Sequence, residues 1–433
     1  MANLWSTLPA TLQDALILLA LLLPGLLAGA ITLRGYAPMP LVWAMLARFR
    51  AVNAVFVALI AVSVAMGIGL TAQERGLRQG SAQAAAKFDL IVAAPGSEIT
   101  AMLAAVYLQP SDMALLTGAQ YADIAGQPGV TLAAPIAFGD SYQGAAVVGT
   151  TADFVTHLAG VLTEGRSFAA PSEAVAGAYA PVAMGDTIIP AHGHGASAED
   201  HAGAGYSIVG RMPPTGSPWD RAILVPVEAV WEIHGLASGH APGDDRIGQP
   251  FDPAYFPGTP AVLVRADDLG TIYALKSNFT RTDMMGFFPG TVLAQLHGIM
   301  GSLRDAASML VVVTQVLVTI AVLAGLMILT RIFARGLALL RAIGAPRRYV
   351  FAVVWSYCAG LIGVGAGLGL ALGWVAAQAL SAIITARTDV LVQTQIGWTE
   401  LHLTAGFISL TLTLSLLPAF AATRHPLLTD LRS

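Results

Sequence analysis

The chain has 433 residues, of which 55% are hydrophobic and only 11% are charged, and its mean hydropathy is +0.68. These values exceed those usual for a soluble domain of this size and indicate an integral membrane protein. The formal net charge of −4 gives no general attraction to nucleic acid, which argues against a DNA- or RNA-binding function. The single cysteine, Cys358, excludes an intrachain disulfide.

Five apolar stretches are long enough to cross a bilayer as helices, which takes about 20 residues. They lie at residues 12–33, 53–71, 307–329, 350–372 and 403–422. The first contains Pro24 and Gly25, which a membrane helix tolerates as a kink, and no basic residue precedes it. Because a cleaved signal peptide needs a positive leader, we interpret this stretch as a fifth span.

Arginines near the ends of these stretches predict the topology, because short cytoplasmic loops carry an excess of Lys and Arg. They follow the first stretch, fill the link between the third and fourth, and follow the fifth. These arginines are Arg34, Arg48, Arg50, Arg331, Arg335, Arg341, Arg347, Arg348, Arg424 and Arg432. The pattern predicts that the amino terminus and residues 73–304 lie outside the membrane and that the carboxyl terminus lies in the cytoplasm.

Residues 73–304 consist of short runs punctuated by Gly, Pro and Asp, which predicts a mixed α+β domain. The predicted strands are FDLIVAA, VTLAAPIAF, GAAVVGTT, YSIVGRM, RAILVPV and PAVLVRA, and the predicted helices are SDMALLTGAQYADIAGQ and VPVEAVWEIHGL. The sequence contains no P-loop, dinucleotide-binding, nucleophile-elbow or HExxH motif. We therefore expect that the chain is not an enzyme and holds no nucleotide itself.

The sequence divides into four predicted parts. Residues 1–34 form an amino-terminal transmembrane helix, and residues 35–72 form an amphipathic interfacial helix followed by a second span. Residues 73–304 form an α+β core domain in the periplasm, and residues 305–433 form a domain of three spans. The predicted fold is thus an α-helical membrane protein with an α+β periplasmic domain, built on four core spans and an extra amino-terminal one.

A histidine-rich loop in the α+β domain is a candidate metal site. Imidazole and carboxylate groups are usual zinc ligands, and five of them fall within ten residues. They are His192, His194, Glu199, Asp200 and His201. Their spacing matches no closed structural zinc site, so two interpretations stay open: a solvated loop, or a transient contact with zinc.

The link between the third and fourth spans, LALLRAIGAPRRYVFAVV, combines three arginines with a Gly-Ala-Pro break. Gly344 permits a left-handed turn, and Pro346 is suited to begin the next helix. The sequence therefore predicts a bent pair of basic helices at the cytoplasmic membrane surface. A purely topogenic loop would explain the arginines but not the break.

This link and the order of spans resemble the FtsX-like or MacB-type permease family of ABC transporters, over almost the whole chain. The most specific part is RIFARGLALLRAIGAPRRYVFAVVWSY, which resembles the cytoplasmic helix that docks on the ATPase in that family. The family commonly has a glutamate where Gly336 or Leu337 stands. The resemblance implies a set of ATPase-coupling residues: Leu340, Arg341, Ala342, Gly344, Ala345, Arg347 and Arg348.

The resemblance further implies a permease subunit in the bacterial inner membrane that pairs with a second copy and with a cytoplasmic ABC ATPase dimer. ATP and magnesium would bind that ATPase, and the periplasmic domains would move to export or hand over a substrate, with or without a periplasmic binding or accessory protein. The alternative is a regulator that transmits the state of the ATPase to a periplasmic hydrolase or lipoprotein without transport. A secondary transporter is disfavoured, because no predicted span carries a central charged residue.

The fourth span contains glycines at alternate positions, in GLIGVGAGLGLALGW. Small residues allow membrane helices to approach closely. We therefore predict close helix packing at Gly363, Gly365, Gly367 and Gly369.

Overall fold

A computed structural model describes residues 5–109, 111–192, 199–200 and 205–424 of the chain. The chain forms two compact units. The helical unit comprises residues 1–76, 302–381 and 394–433, and the α/β unit comprises residues 77–301 and 382–393. Each unit is described by itself below.

Five helices in the described residues are long and apolar enough to cross a membrane. They are α1 (Ala10–Leu33), α3 (Arg50–Ala85), α9 (Pro289–Ala342), α10 (Arg347–Thr388), and the pair formed by α11 (Trp398–Leu414) and α12 (Leu416–Arg424). A shorter helix, α2 (Met39–Arg48), precedes α3. Each predicted apolar stretch lies within one of these elements, and the chain is a multi-pass membrane protein.

Small residues let the membrane helices pack closely in the helical unit. In α1, the Gly25 amide donates a hydrogen bond of 3.1 Å to the Ser409 hydroxyl of α11. One turn further along α1, a Cβ added at Gly29 would lie 2.9 Å from the Trp355 ring of α10. The Trp355 indole in turn donates to the Leu412 carbonyl at 3.2 Å. The extra amino-terminal helix is therefore integrated into this unit through α10 and α11.

The α/β unit contains two β-sheets. Its strands are β1 (Leu90–Ala93), β2 (Val130–Pro135), β3 (Ala137–Tyr142), β4 (Ala145–Thr150), β5 (Glu164–Gly165), β6 (Glu173–Ala176), β7 (Thr187–Ile188), β8 (Ala191–His192), β9 (Glu199–Asp200), β10 (Tyr206–Arg211), β11 (Ile223–Pro226), β12 (Ala261–Ala266) and β13 (Met285–Phe287). The first sheet is antiparallel, in the order β13-β1-β12-β2. The second is mixed, in the order β5-β10-β6-β11-β4-β3-β8-β9, with β7 paired to β10.

Short helices connect these strands. They are α4 (Glu98–Ala105), α5 (Gly118–Ala125), α6 (Ala152–Ala159), α7 (Val227–Ile233) and α8 (Leu269–Asn278), with a 3-10 turn at Pro218–Asp220. The helix predicted from SDMALLTGAQYADIAGQ is shorter than its sequence pattern and begins only at Gly118. The reason is local: Thr117 and Gln120 form a reciprocal capping box that starts the helix there.

Alternating side chains of the strands enter two hydrophobic cores. In β1, Leu90 and Val92 belong to one core, while Ile91 belongs to the other. This period of two is the expected geometry of a strand that is buried on both faces.

One segment differs from the predicted division of the chain. Residues 382–393, which the sequence analysis grouped with the last three spans, belong to the α/β unit. The physical reason is that Val390 and Val392 are buried in one of its hydrophobic cores. Asp389 also forms an ion pair with Arg221 at 2.9 Å, within the same unit.

Candidate coupling site

The turn between α9 and α10 is a complete helix C-cap. The Ala345 amide donates to the Leu340 carbonyl at 2.9 Å, and the Gly344 amide donates to the Arg341 carbonyl at 3.1 Å. These two hydrogen bonds close around one residue with a positive φ, which is the geometry of a Schellman motif. Gly344 is that residue, with φ of +107°, which side-chain-bearing residues rarely adopt. The left-handed turn predicted from the Gly-Ala-Pro break is therefore present.

The second helix starts immediately after this cap. The Tyr349 amide donates to the Pro346 carbonyl at 2.9 Å, and α10 runs from Arg347. Pro346 cannot donate a backbone hydrogen bond, and so it fits the first turn of a helix without loss. The break is thus fixed by two adjacent signals: a glycine that ends one helix and a proline that begins the next.

The turn presents an apolar side chain flanked by charge. Ile343 is 77% exposed at the tip, and Gly344, Arg347 and Arg348 are also exposed. Among the other predicted coupling residues, Ala342 is exposed, whereas Leu340, Arg341 and Ala345 are half-buried. Ile343 was not among the predicted coupling residues, although its position between Ala342 and Gly344 at the tip of the break could have indicated it.

Aromatic contacts hold the base of the turn in the helical unit. The Tyr349 ring meets Tyr36 at a centroid distance of 6.1 Å, and Phe333 packs edge-on against Phe49 at 4.9 Å. Phe333 also contacts Tyr357 of α10 at 5.5 Å. These rings therefore connect α9 and the start of α10 to the residues that join α1, α2 and α3.

The fourth-span glycines fall on two faces of α10. A Cβ added at Gly365 or Gly369 would lie 2.7 Å from Ile60 or Val64 of α3, respectively. Gly373, one turn further, meets Ile68 in the same way at 2.9 Å.

At Gly363 and Gly367, an added Cβ would have no described neighbour within 4 Å apart from the adjoining residues and backbone of α10 itself. The packing predicted for these two glycines is thus not found within the chain. The reason is helical periodicity: positions two apart differ by about 200° around the axis, whereas positions four apart share a face.

A buried ion pair joins two membrane helices of the helical unit. Arg75 of α3 donates to the carboxylate of Glu400, a residue of α11 that is fully buried. The second oxygen of that carboxylate accepts from the Gly397 amide at 2.9 Å. The sequence analysis missed this pair, because its members are 325 residues apart and each lies just beyond a predicted span.

The residues of the histidine-rich loop are only partly described. The backbones of His192 and Glu199 pair in register across β8 and β9, and so do those of Ala191 and Asp200. His194 and His201 lie outside the described residues. Among the side chains that the structure does describe, no group of three His, Cys, Asp or Glu residues is arranged to hold a metal ion. The metal interpretation therefore stays a prediction.

No protein-family model and no curated protein matches this chain. Among solved structures, the chain is similar to the extracellular domain of the noncanonic ABC-type transporter YknZ from Gram-positive bacteria. That similarity has 11% sequence identity and a TM-score of 0.28, and it covers 46% of this chain and 98% of that domain. A likeness this distant does not assign the chain to a family.

Proposed function

We propose that this chain is the membrane subunit of an ABC transporter, and that the turn around Ile343 docks on a separate cytoplasmic ATPase. In this proposal two copies of the chain act with two ATPase subunits, which bind ATP and magnesium. ATP-driven closure of the ATPase dimer moves α9 and α10, and the α/β unit, on the outer side of the bacterial inner membrane, responds by exporting or handing over a substrate.

The observation that carries the proposal is the exposed isoleucine at a rigidly capped turn between two membrane helices. Exposing an apolar side chain to water is unfavourable. Burying it against a partner contributes about 1.5–3 kcal/mol to the free energy of association. The adjacent arginines Arg347 and Arg348 suit an acidic rim around such a contact. A loop that served only to orient the helices would need the arginines but neither the cap nor the isoleucine.

The turn is also suited to transmit force. The two cap hydrogen bonds of Gly344 and Ala345, together with the ring of Pro346, restrain the backbone between the two helices. The aromatic contacts of Tyr349 and Phe333 then link the turn to other elements of the helical unit. This arrangement supports coupling to a moving partner in preference to conduction through the bundle.

Photo-cross-linking tests the proposal. A photoreactive phenylalanine analogue replaces Ile343 in one variant and Tyr179, which is 60% exposed in the α/β unit, in a control variant. We expect irradiation of cells to join the Ile343 variant, but not the Tyr179 variant, to a protein that carries ABC ATPase motifs. The proposal is wrong if position 343 captures no such ATPase, or if position 179 captures it equally well.

A further inference from the structure

A groove of about 400 Å³ lies among three helices of the helical unit: α2, the start of α3, and α10. Its volume falls within the range of about 300–1,000 Å³ that is usual for ligand sites. The lining residues of α3 share one helix face, with the spacing i, i+3, i+4 and i+7. They are Arg50, Asn53, Ala54 and Val57. The groove therefore extends about 10 Å along α3, at about 1.5 Å per residue.

The deeper part of the groove is apolar. Asn53, a polar residue in its wall, is already hydrogen-bonded: its side-chain amide donates to the Leu46 carbonyl at 3.0 Å and accepts from the Tyr357 hydroxyl. Beyond Asn53, the wall includes Val57 of α3 and Leu361 of α10. A surface of this kind favours a hydrocarbon chain over water.

The polar residues Arg50 and Ser356 lie together at the other end. The contacts of α3 with the glycines of α10 show that the two helices run in the same direction, with Ile60 against Gly365. Ten residues earlier on each helix, Arg50 of α3 is level with Trp355 of α10, the neighbour of Ser356. The groove thus has a polar mouth and an apolar interior.

The hydroxyl of Ser356 is available to a ligand in the groove. Ser356 is 3% exposed, and its hydroxyl has no hydrogen-bond partner among the described residues. A hydroxyl in a helix commonly donates to the carbonyl one turn earlier, as Thr404 does to Glu400 at 2.8 Å. A buried hydroxyl without such a partner is unfavourable, and a ligand that accepts its proton would remove that cost.

Arg50 supplies a positive charge at the mouth of the groove. It is exposed and forms no ion pair or side-chain hydrogen bond within the part of the chain that the structure describes. The nearby Arg48 instead lies over the Phe49 ring, at 5.9 Å from its centroid. Trp43 of α2 also lines the groove and is 69% exposed, as is typical of aromatic residues at a membrane–water interface. A cation at this level is complementary to an anionic lipid headgroup.

We propose that this groove binds one anionic phospholipid of the bilayer. One acyl chain lies against Ala54 and Val57, the phosphate is held by Arg50, and a glycerol ester carbonyl accepts from the Ser356 hydroxyl. The long side chain of arginine reaches toward water, which suits the outward position of the phosphate relative to the ester. The site is independent of the proposed coupling to an ATPase.

Native mass spectrometry of the purified full chain in detergent tests the headgroup contacts. Dioleoyl phosphatidylglycerol, which is anionic, and dioleoyl phosphatidylcholine, which is zwitterionic, are titrated separately. We expect one phosphatidylglycerol per chain, bound more tightly than phosphatidylcholine. Arg50→Gln should weaken phosphatidylglycerol binding roughly 10-fold and phosphatidylcholine binding much less, because only the first lipid has a net charge. Ser356→Ala should weaken both lipids by a similar factor of roughly 2–10, since both carry the ester.

Arg48→Gln is the matched control for the charge, because the Arg48 guanidinium lies over Phe49 and the residue does not line the groove. We expect it to bind phosphatidylglycerol like the wild type. Loss of folding would lower the binding of both lipids, so a selective loss of phosphatidylglycerol in Arg50→Gln reports the headgroup contact itself.

A steric variant tests the acyl-chain contact. Ala54→Phe places a ring in the groove, whereas Val55→Phe adds the same ring at a position that is 58% exposed and does not line it. We expect Ala54→Phe to lose the tightly bound phosphatidylglycerol and Val55→Phe to retain it.

The proposal is overturned if the wild type binds the two lipids equally well, or if Arg50→Gln lowers both equally. It is also overturned if Arg48→Gln has the same effect as Arg50→Gln, or if Ala54→Phe retains the lipid. Loss of a dimer mass in Ala54→Phe, with phosphatidylglycerol still bound, would assign the groove to a second copy of the chain and would equally overturn it.

Discussion

Replacing Gly369 by alanine tests the contact between α3 and α10. The added Cβ would lie 2.7 Å from the Val64 Cβ and 2.8 Å from the Ala61 carbonyl oxygen, whereas ordinary contacts begin at 3.4 Å. The two helices must therefore separate locally by about 0.7 Å, and overpacking of this kind costs about 1–3 kcal/mol. Gly367→Ala is the matched control, because its added Cβ would meet no described atom of another helix within 4 Å.

Thermal unfolding of the purified chain in detergent measures this difference. The single cysteine, Cys358, is buried in α10, so a thiol-reactive dye reports the temperature at which the helical unit opens. For a unit of about this size, 1 kcal/mol corresponds to roughly 2–4 °C in Tm. We expect Gly369→Ala to lower Tm by several degrees. Gly367→Ala should leave Tm unchanged or raise it, since alanine favours a helix by about 0.8–1.0 kcal/mol.

The packing argument fails if the two variants have the same Tm, or if Gly369→Ala is the more stable of the two. Equal effects would mean that Gly367 and Gly369 contribute alike to packing, although only Gly369 lies against α3.

Three other predictions follow from the structure. Gly344→Val should strongly reduce cross-linking of the ATPase from position 343, because valine is strained at the φ of +107° found there, whereas Gly336→Ala within α9 should not. Burial raises the pKa of the Glu228 carboxyl above its ordinary value of 4.5, so the stability that the protonated group contributes is full below pH 4.5 and is lost as the pH rises. The Tm of Glu228→Gln should therefore rise relative to the Tm of the wild type between about pH 4.5 and neutrality. A Tm difference between the two that does not change with pH would contradict this. Ser6 and Ser172 are exposed, and each is replaced by cysteine in a chain that lacks Cys358. Both cysteines should react with an impermeant thiol reagent in cells with a permeabilised outer membrane. Labelling of position 172 alone would indicate four spans instead of five.

The membrane helices and about half of the strands were predictable because their signals are local. An apolar run of about 20 residues specifies a span without reference to the rest of the chain. The short apolar runs of β1 and β12, rich in branched side chains, similarly identify buried strands. A Gly-Ala-Pro sequence specifies where one helix ends and the next begins. These elements therefore match the predicted ones in type, with ends that differ by several residues.

The remaining features depend on contacts between distant parts of the chain. The addition of residues 382–393 to the α/β unit requires Val390 and Val392 to meet its core, and no local pattern indicates that. The pairing of Asp140 with His192 depends on strand register, which is decided by the whole sheet. The two faces of the α10 glycines, by contrast, could have been separated from the sequence by applying the period of 3.6.

The movement of the α/β unit in response to nucleotide tests the central claim most directly. A spin label is attached at Ser172→Cys, in a chain that lacks Cys358, and the complex with its ATPase is placed in lipid nanodiscs. Distances between the labels of two copies are then measured by pulsed electron paramagnetic resonance, with and without a non-hydrolysable ATP analogue. We expect the distance distribution to shift when the analogue binds, and the shift to disappear in Ile343→Asp. An unchanged distribution in the wild type, with the analogue demonstrably bound to the ATPase, would contradict coupling through this chain.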